Sequence, residues 1–280
     1  SADPITGTVK DLGSHCIHIT ANDLAASGAE PLGVMLTVLL PENVEEPEIR
    51  QMMRQAEDTC RELKMEILGG HTEITRVVAQ PLISVTGVGK IRKEELLNPS
   101  GIRPGMDLVV SKWIGLEATS ILVKEREERL KERFSPEFIR TARSFDQYLS
   151  VVPDARAAKA AGAAAMHDIT EGGVFGAFWE MASAGNVGLE IDLRAVPIRQ
   201  ETVEICEFFG VNPYQIMSSG SMMIAAEDGQ AVVRALRDAG IPGTVVGRTT
   251  EGRARILRNG EEIRYLDKPQ PDELYRALEG

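Results

Sequence analysis

The stretch Asn-Asp-Leu-Ala-Ala-Ser-Gly-Ala-Glu-Pro, residues 22–31, joins two regions of contrasting pattern. Residues 11–28, which include its first part, carry apolar side chains at roughly helical spacing and end in a glycine suited to a helix C-terminus. After it, residues 31–41 are a Val- and Leu-rich run closed by proline, which predicts a buried strand. Burying the carboxylate of Asp23 in such a helix costs several kcal/mol unless it has a partner. That partner is either structural, a lysine or backbone N–H groups, or a metal ion.

The rest of the chain continues this alternation of helices and strands. Residues 47–64 predict an amphipathic helix with proline at its first position, and residues 65–75 predict two strands joined by a Gly-Gly turn. In the second half, a helix from about Leu116 is expected to carry the charged stretch 124–133 as a solvated face, and residues 215–226 are expected to form a strand. A hairpin is expected to turn at Asn259-Gly260.

A Pro- and Gly-rich segment, residues 97–107, is the best candidate for a domain boundary. We therefore expect one domain over residues 1–98 and a second over residues 99–280. Alternating strands and helices in both predict an α/β (α+β) fold, with sheets covered by helices.

The composition limits the classes of partner. The net charge of −11 argues against nucleic acid or an anionic membrane surface, although not against a nucleotide ligand. No apolar run is long enough to span a bilayer, and no signal peptide is recognisable. The three cysteines are widely spaced and odd in number, which fits neither a disulfide framework nor a zinc site. We expect a cytoplasmic protein with reduced thiols.

Two places in the first half add candidate site residues. Asp3, before Pro4, is expected at a strand end, where a carboxylate can hold a hard cation; the alternative is an ordinary turn residue. Gly69 and Gly70 would let the backbone approach a ligand, with the polar side chains His71, Thr72 and Glu73 following; here the alternative is a plain β-turn.

One place in the second half combines an acidic strand end with a helix start. The sequence Met-His-Asp-Ile-Thr-Glu-Gly-Gly, residues 166–173, places Asp168 and Glu171 just before Gly172 and Gly173. The unpaired N–H groups of a helix N-terminus bind anions, but the two carboxylates would repel a bare phosphate. A triphosphate with Mg²⁺ between them resolves this conflict. The chain has no common nucleotide-binding or hydrolase motif.

In order and spacing, these motifs resemble those of the aminoimidazole-ribonucleotide synthetase superfamily. That group includes HypE, thiamine-monophosphate kinase and selenophosphate synthetase. Residues 22–31 are similar to its NDLAxxGAxP signature, the most specific match, and Asp3-Pro4 resembles the end of its TTDP element. Residues 69–72 look like its GGDT or GGET turn, and residues 168–173 like DxTxGG. The Arg103–Asp107 segment fits its RPGD domain start. The resemblance covers nearly the whole chain.

The resemblance implies a PurM-like fold of two domains. The N-terminal domain would form a shared barrel in a homodimer, and ATP would bind near that interface. Asp3, Asp23 and Glu73 are the implied Mg²⁺ ligands, and Asp168 and His71 are the candidate catalytic residues. The implied nucleotide-binding residues are Asn22, Asp23, Gly69, Gly70, Thr72, Gly172 and Gly173. The expected reaction is phosphorylation or activation of an unidentified small acceptor by Mg·ATP.

The chain departs from the family pattern in three ways. A Gly-rich acidic loop usually precedes the Asp3 motif, so we expect that an N-terminal segment is missing. His71 stands where an acid is usual, and Glu73 is its expected substitute. HypE ends in a reactive cysteine, whereas the last cysteine here is Cys206, so HypE's own dehydration chemistry is not expected. Two alternatives stay open: a non-catalytic nucleotide-binding dimeric scaffold or sensor, and a thiamine-monophosphate kinase-like enzyme.

Overall fold

The computed structural model describes residues 2–6 and 9–279, with side chains described from Asp11 onward. The chain divides into two compact units, residues 1–96 and residues 97–280. We call these the first and the second unit. Each has its own β-sheet, which confirms the α/β class predicted from the alternating pattern.

The first unit is a four-stranded sheet in the order β1-β4-β2-β3, with two helices packed on one face. Strands β2 and β3 are parallel, and the other neighbouring pairs are antiparallel. In chain order the elements are β1 (Ala2–Thr6), α1 (Val9–Ala26), β2 (Glu30–Leu40), α2 (Glu46–Leu63), β3 (Glu66–Ile74) and β4 (Leu82–Lys90).

Side-chain alternation sets which face of this sheet the helices cover. On β2, Val34, Leu36 and Val38 are fully buried toward the helices, whereas Met35 between them is 44% exposed. On the neighbouring strand β4, Val85 is buried and Val88 is exposed. One face of the sheet is therefore a core, and the other presents apolar side chains that the described residues of the unit leave exposed.

Helix α1 begins at Val9, two residues before its predicted start, and both helices end within two residues of the predicted positions. Helix α1 ends before Gly28, whose φ of 78° favours glycine. Helix α2 has Pro47 in its first turn, and the Glu45 N–H donates to the Glu48 carboxylate at 2.9 Å. It ends at Lys64 in the left-handed conformation.

The predicted Gly-Gly turn is wrong: residues 66–74 form one continuous strand, β3. The register with β2 skips Leu68, since Val34 pairs with Ile67 and Met35 with Gly69, so the two glycines directly follow a β-bulge and do not form a reversal. A Cβ on Gly70 would lie 1.9 Å from the Leu36 carbonyl oxygen, which explains why glycine is required there. Strand β3 is an edge strand, and every residue of it is exposed.

The second unit is a seven-stranded sheet in the order β11-β10-β7-β9-β5-β8-β6. Its elements are β5 (Asp107–Ser111), α3 (Leu116–Glu125), α4 (Glu127–Leu130), α5 (Pro136–Arg143), α6 (Val152–Ala160), β6 (Ala163–Asp168), α7 (Gly173–Gly185), β7 (Gly188–Asp192), α8 (Gln200–Phe209), β8 (Met222–Ala226), α9 (Gly229–Asp238), β9 (Gly243–Thr250), β10 (Arg255–Asn259), β11 (Glu262–Tyr265) and α10 (Glu273–Glu279).

Helices lie on both faces of this sheet. Leu108 and Val110 on β5 point into a core with Phe178 of α7. Helices α6 and α9 contact the sheet as well, with the buried residues Val232 and Leu236 on α9. A second apolar cluster joins α3, α5, α8 and α10. The predicted hairpin is confirmed, with Asn259 paired to Glu262 across the turn.

Two predictions for the second unit are wrong. The charged stretch 124–133 is not one helix, because α3 ends at Glu125 and only the short α4 follows. Lys131 of this stretch nevertheless pairs with Glu127 and Glu128 within the same turn of chain. The strand expected over residues 215–226 is confined to its last five residues, after a loop that contains Gly220 at φ 103°.

No helix in the described part of the chain has the length and apolar character needed to cross a bilayer.

Candidate functional site

The Asn22-Asp23 pair lies near the end of α1. Asn22 is 1% exposed and Asp23 is half-buried. Helix α1 approaches β4 closely here, since a Cβ on Gly87 would lie 2.4 Å from Thr20 Cγ2. The last turn of α1 contains no basic residue, so Asp23 adds its charge to the negative end of the helix dipole. A cation beside Asp23 would be favoured electrostatically.

Asp3 lies within β1 rather than at its end, opposite Val85 of β4. Its side chain falls outside the described residues. The prediction that Asp3 contributes a metal ligand therefore rests on its position in the sheet alone.

His71, Thr72 and Glu73 are all exposed on the edge strand β3. The His71 and Glu73 side chains point the same way, with 3.4 Å between Nε2 and Oε2, and each is more than half exposed. An exposed pair of this kind contributes little to folding stability. These side chains are accessible to a ligand or to another chain.

The sheet topology separates part of the predicted Mg²⁺ ligand set. Asp3 pairs with Val85, Val85 with Leu36, and Leu36 with Gly70, so β1 and β3 are opposite edges of the sheet. Three strand spacings of about 4.8 Å place their backbones about 14 Å apart. Asp3 and Glu73 of one chain are therefore not neighbours, and a site that uses both needs more than one copy of the chain. Among the described side chains, no three of His, Cys, Asp or Glu group closely enough for a metal ion.

In the second unit, Asp168 ends β6 and is 5% exposed. The ring of His167 spans two groups beside it, with Nδ1 2.6 Å from the Asp168 carbonyl oxygen and Nε2 2.8 Å from Glu180 Oε2. Glu180 belongs to α7, so the imidazole ties the end of the strand to the following helix. This fixes the backbone that carries Asp168.

Two opposing effects set the pKa of His167. Burial of the ring lowers the pKa, but the hydrogen bonds to Glu180 and to the Asp168 carbonyl outweigh it, so the pKa lies above its ordinary value. The charged imidazolium, which donates from both nitrogens, suits two acceptors.

The amides expected to bind phosphate at the start of α7 are already engaged. The Gly172 N–H donates to Asp272 Oδ2 at 2.7 Å, and the Gly173 N–H donates to the Thr170 carbonyl at 3.1 Å. A Cβ on Gly173 would lie 2.6 Å from the Tyr214 carbonyl oxygen. In this structure Gly173 allows close packing of a neighbouring loop, and neither glycine presents a free N–H group to an anion.

Asp272 is a buried carboxylate that the sequence did not reveal. Its second oxygen accepts from the Leu274 N–H at 2.8 Å, and burial raises the pKa of its carboxyl group despite these bonds. Nearby, Tyr275 donates to Glu171 Oε1 at 2.7 Å, and this bond, with burial, raises the pKa of the phenol to about 12. The only local sign of Asp272 in the sequence is its position after two prolines and directly before a helix. That position indicates a helix cap and not a contact with residue 172.

The predicted residues thus form three groups. Asn22 and Asp23 share one helix end, residues 69–73 share one sheet edge, and Asp168, Gly172 and Gly173 lie where β6 passes into α7, whereas Asp3 lies on β1.

Two protein-family models match the chain. The model of the N-terminal domain of AIR synthase related proteins matches residues 2–91, and that of the C-terminal domain matches residues 103–258. The carbamoyl dehydratase HypE of Cupriavidus necator is 27% identical over 257 residues, which covers 90% of this chain and 70% of that protein.

Solved structures show the same fold. The crystal structure of E. coli HypE, a hydrogenase maturation protein, superposes with a TM-score of 0.84 at 24% identity, covering 99% of this chain and 87% of that one. A crystal structure of HypE in complex with ATP also gives 0.84, at 19% identity, and covers 99% and 86%. The two-domain PurM-like fold predicted from the motifs is thereby confirmed.

Proposed function

Because the chain belongs to the AIR synthase related protein family, we propose that it is an ATP-dependent, Mg²⁺-requiring enzyme that phosphorylates or activates a small acceptor. The observation that carries this proposal is Asp23. It is a half-buried carboxylate in the last turn of α1, a turn without a basic residue. ATP binding is supported by the relative HypE, which has been crystallised with ATP.

The residues present suit magnesium as an ion bound together with a nucleotide. Mg²⁺ prefers oxygen ligands and is usually held by one or two carboxylates plus substrate phosphates and water. Two carboxylates, Asp23 and Asp3, together with phosphates and water, match that pattern better than a site built wholly from protein side chains would. When bound, the ion would neutralise charge on the phosphates. Asn22, beside Asp23, would orient the ligand.

A homodimer is part of the proposal. Met35 and Val88 lie on the face of the first sheet that its helices leave open, and Leu68 on the edge strand is 53% exposed. Exposed apolar side chains in adjacent strands favour association. A second copy that covers this face would also bring a second β1 and a second β3 into the assembly, and so could complete a site whose members lie at opposite edges of one sheet.

A ligand series tests the proposal. The melting temperature is measured with ATP, ADP and AMP, each with and without Mg²⁺. ATP with Mg²⁺ at ten times its Kd stabilises the protein by about 1.4 kcal/mol, or roughly 2–5 °C. AMP controls for the nucleoside, and ATP without Mg²⁺ controls for the ion. A melting temperature unmoved by millimolar ATP and Mg²⁺ would refute nucleotide binding.

A non-catalytic scaffold or sensor is the rival, favoured by His71 at the position where the family has an acid. It predicts stabilisation by ATP without any release of ADP over hours of incubation with candidate acceptors. Light scattering at micromolar concentration tests the dimer separately, since a monomer there contradicts it.

A further inference from the structure

A cavity of about 450 Å³ lies within the second unit, beside the first turn of α7. Leu193 and Arg194, directly after β7, line it, as does Asn259 at the end of the parallel strand β10. Its volume falls in the range of pockets that bind small molecules.

One wall of the cavity is the segment of residues 266–272 between β11 and α10, which we call the strap. Both ends of the strap are fixed. The Leu266 N–H donates to the Arg255 carbonyl at 2.8 Å, and Asp272 accepts from the Gly172 N–H. Pro269 and Pro271 further restrict the chain between these ends. The cavity is therefore formed before any ligand arrives, which lowers the entropic cost of binding.

A second wall is flat and aromatic. The rings of Phe175 and Tyr214 stack with centroids 5.2 Å apart and planes 14° from parallel. The Phe175 N–H donates to the Tyr214 carbonyl at 3.1 Å, and the Tyr214 hydroxyl donates to the Leu193 carbonyl at 3.4 Å. These bonds hold both rings at the cavity, where they present an apolar surface to a planar group.

The charges at the cavity are mainly positive. Arg194, Arg264 and Lys268 line it, against Asp267 as the one carboxylate among its lining residues. Arg264 is paired with Glu262 at 2.7 Å. Arg194 donates to Asn259 Oδ1 at 3.4 Å, and neither Arg194 nor Lys268 is in an ion pair with a described residue. In a chain of net charge −11, two such cations over one pocket favour an anionic ligand.

We propose that this cavity binds a small organic anion built on a flat ring, an aromatic phosphate or carboxylate. The ring lies against Phe175 and Tyr214, and the anionic group lies between Arg194 and Lys268. The site needs no nucleotide, so it stands or falls independently of ATP binding.

Calorimetric titration of the whole chain without ATP tests the site. The probes are phenyl phosphate and benzoate, with inorganic phosphate and phenol as the anion and the ring alone. We expect a Kd on the order of 1 mM for at least one ring-bearing anion, given its few atoms. Inorganic phosphate and phenol should each bind at least about 10-fold more weakly. The tighter of phenyl phosphate and benzoate identifies the head group.

The double variant Arg194→Gln/Lys268→Gln removes both cations from exposed positions, so the fold is retained. Its affinity for the ring-bearing anion should fall by about 10-fold or more. The matched control Arg237→Gln/Arg253→Gln makes the same charge change at exposed sites away from the cavity, and its affinity should stay within about 2-fold. The site is refuted if neither ring-bearing anion binds at 10 mM, a probe level of ~10 times the expected Kd. Equal affinity of the cation variant and its control also overturns it, as does inorganic phosphate binding as tightly as the tighter of the two ring-bearing anions.

Discussion

Replacing Gly173 with alanine tests whether close packing, rather than ligand binding, requires glycine at the start of α7. Gly173 has a φ of 61°, a conformation that costs an alanine about 1–2 kcal/mol. The new Cβ would also lie 2.6–2.8 Å from three backbone atoms of Tyr214 and Ile216, which must move. Overpacking of this kind costs about 1–3 kcal/mol. We expect Gly173→Ala to lower the free energy of unfolding by about 2–5 kcal/mol in total.

The chain offers a matched control at Gly240. It has a similar φ of 77°, but a Cβ there would meet no atom within 4 Å. Gly240→Ala should therefore cost only the conformational part, about 1–2 kcal/mol. Urea unfolding at pH 7 without ligand, followed by circular dichroism, gives both values at unchanged m. An equal loss of unfolding free energy in the two variants would refute the packing argument and would leave ligand binding as the reason for glycine at position 173.

Three further predictions concern buried groups. The raised pKa of His167 gives a stabilisation that is complete below about pH 6.5 and is lost as pH rises through the folded-state pKa. His167→Gln should therefore lower the free energy of unfolding more at pH 5.5 than at pH 9. The same difference between wild type and variant at both pH values in urea titrations would contradict this. Burial raises the pKa of Cys16 and of Cys206 to about 12, and for Cys16 the neighbouring thiol on α2 makes a smaller contribution. Neither thiol should therefore react with iodoacetamide at pH 8 until urea unfolds the chain. Native alkylation at the unfolded rate would count against that burial. Lys112 Nζ lies 3.1 Å from Asp154 Oδ2, and Lys112→Met leaves that buried carboxylate without its lysine. The variant should lose about 3–5 kcal/mol of unfolding free energy, and Lys112→Met/Asp154→Leu should recover most of it. A loss below about 1 kcal/mol for the single variant would show that the pair is dispensable.

The local sequence was sufficient wherever periodicity and end signals agreed. Helix α1 and strand β2 follow from the apolar spacing before Gly28 and the run that Pro41 closes. The motif order identified the family, because residues 22–31 carry a specific signature that no single secondary-structure pattern supplies.

Glycines misled where their role depends on distant neighbours. Gly69-Gly70 indicates a turn in isolation, but the pair continues the strand after a bulge at Leu68, and Gly70 allows the close approach of the Leu36 carbonyl. Gly172-Gly173 indicates an anion site at a helix start, but Asp272, 100 residues away, already accepts from the first amide. Pairing between remote segments decides both cases, and local patterns carry no information about it.

The sequence did not reveal that the expected ligand set is divided between two edges of one sheet. Asp3 and Glu73 each suit a metal ion by residue type, yet the strand order places β1 and β3 at opposite edges of the sheet. The sequence pattern predicts that both are strands without predicting which strands are neighbours. The proposed function therefore depends on Asp23, joined by Asp3, and not on Glu73 of the same chain.

The most direct measurement is a calorimetric titration of ATP, with and without Mg²⁺, into the wild-type chain and Asp23→Asn. The matched control is Asp58→Asn, which removes an exposed carboxylate that pairs with Arg61 in the same unit. We predict that wild type and Asp58→Asn bind ATP only with Mg²⁺, and that Asp23→Asn binds at least about 10-fold more weakly. Binding of Mg·ATP to Asp23→Asn as tightly as to wild type, or no binding to any of the three, would contradict the account.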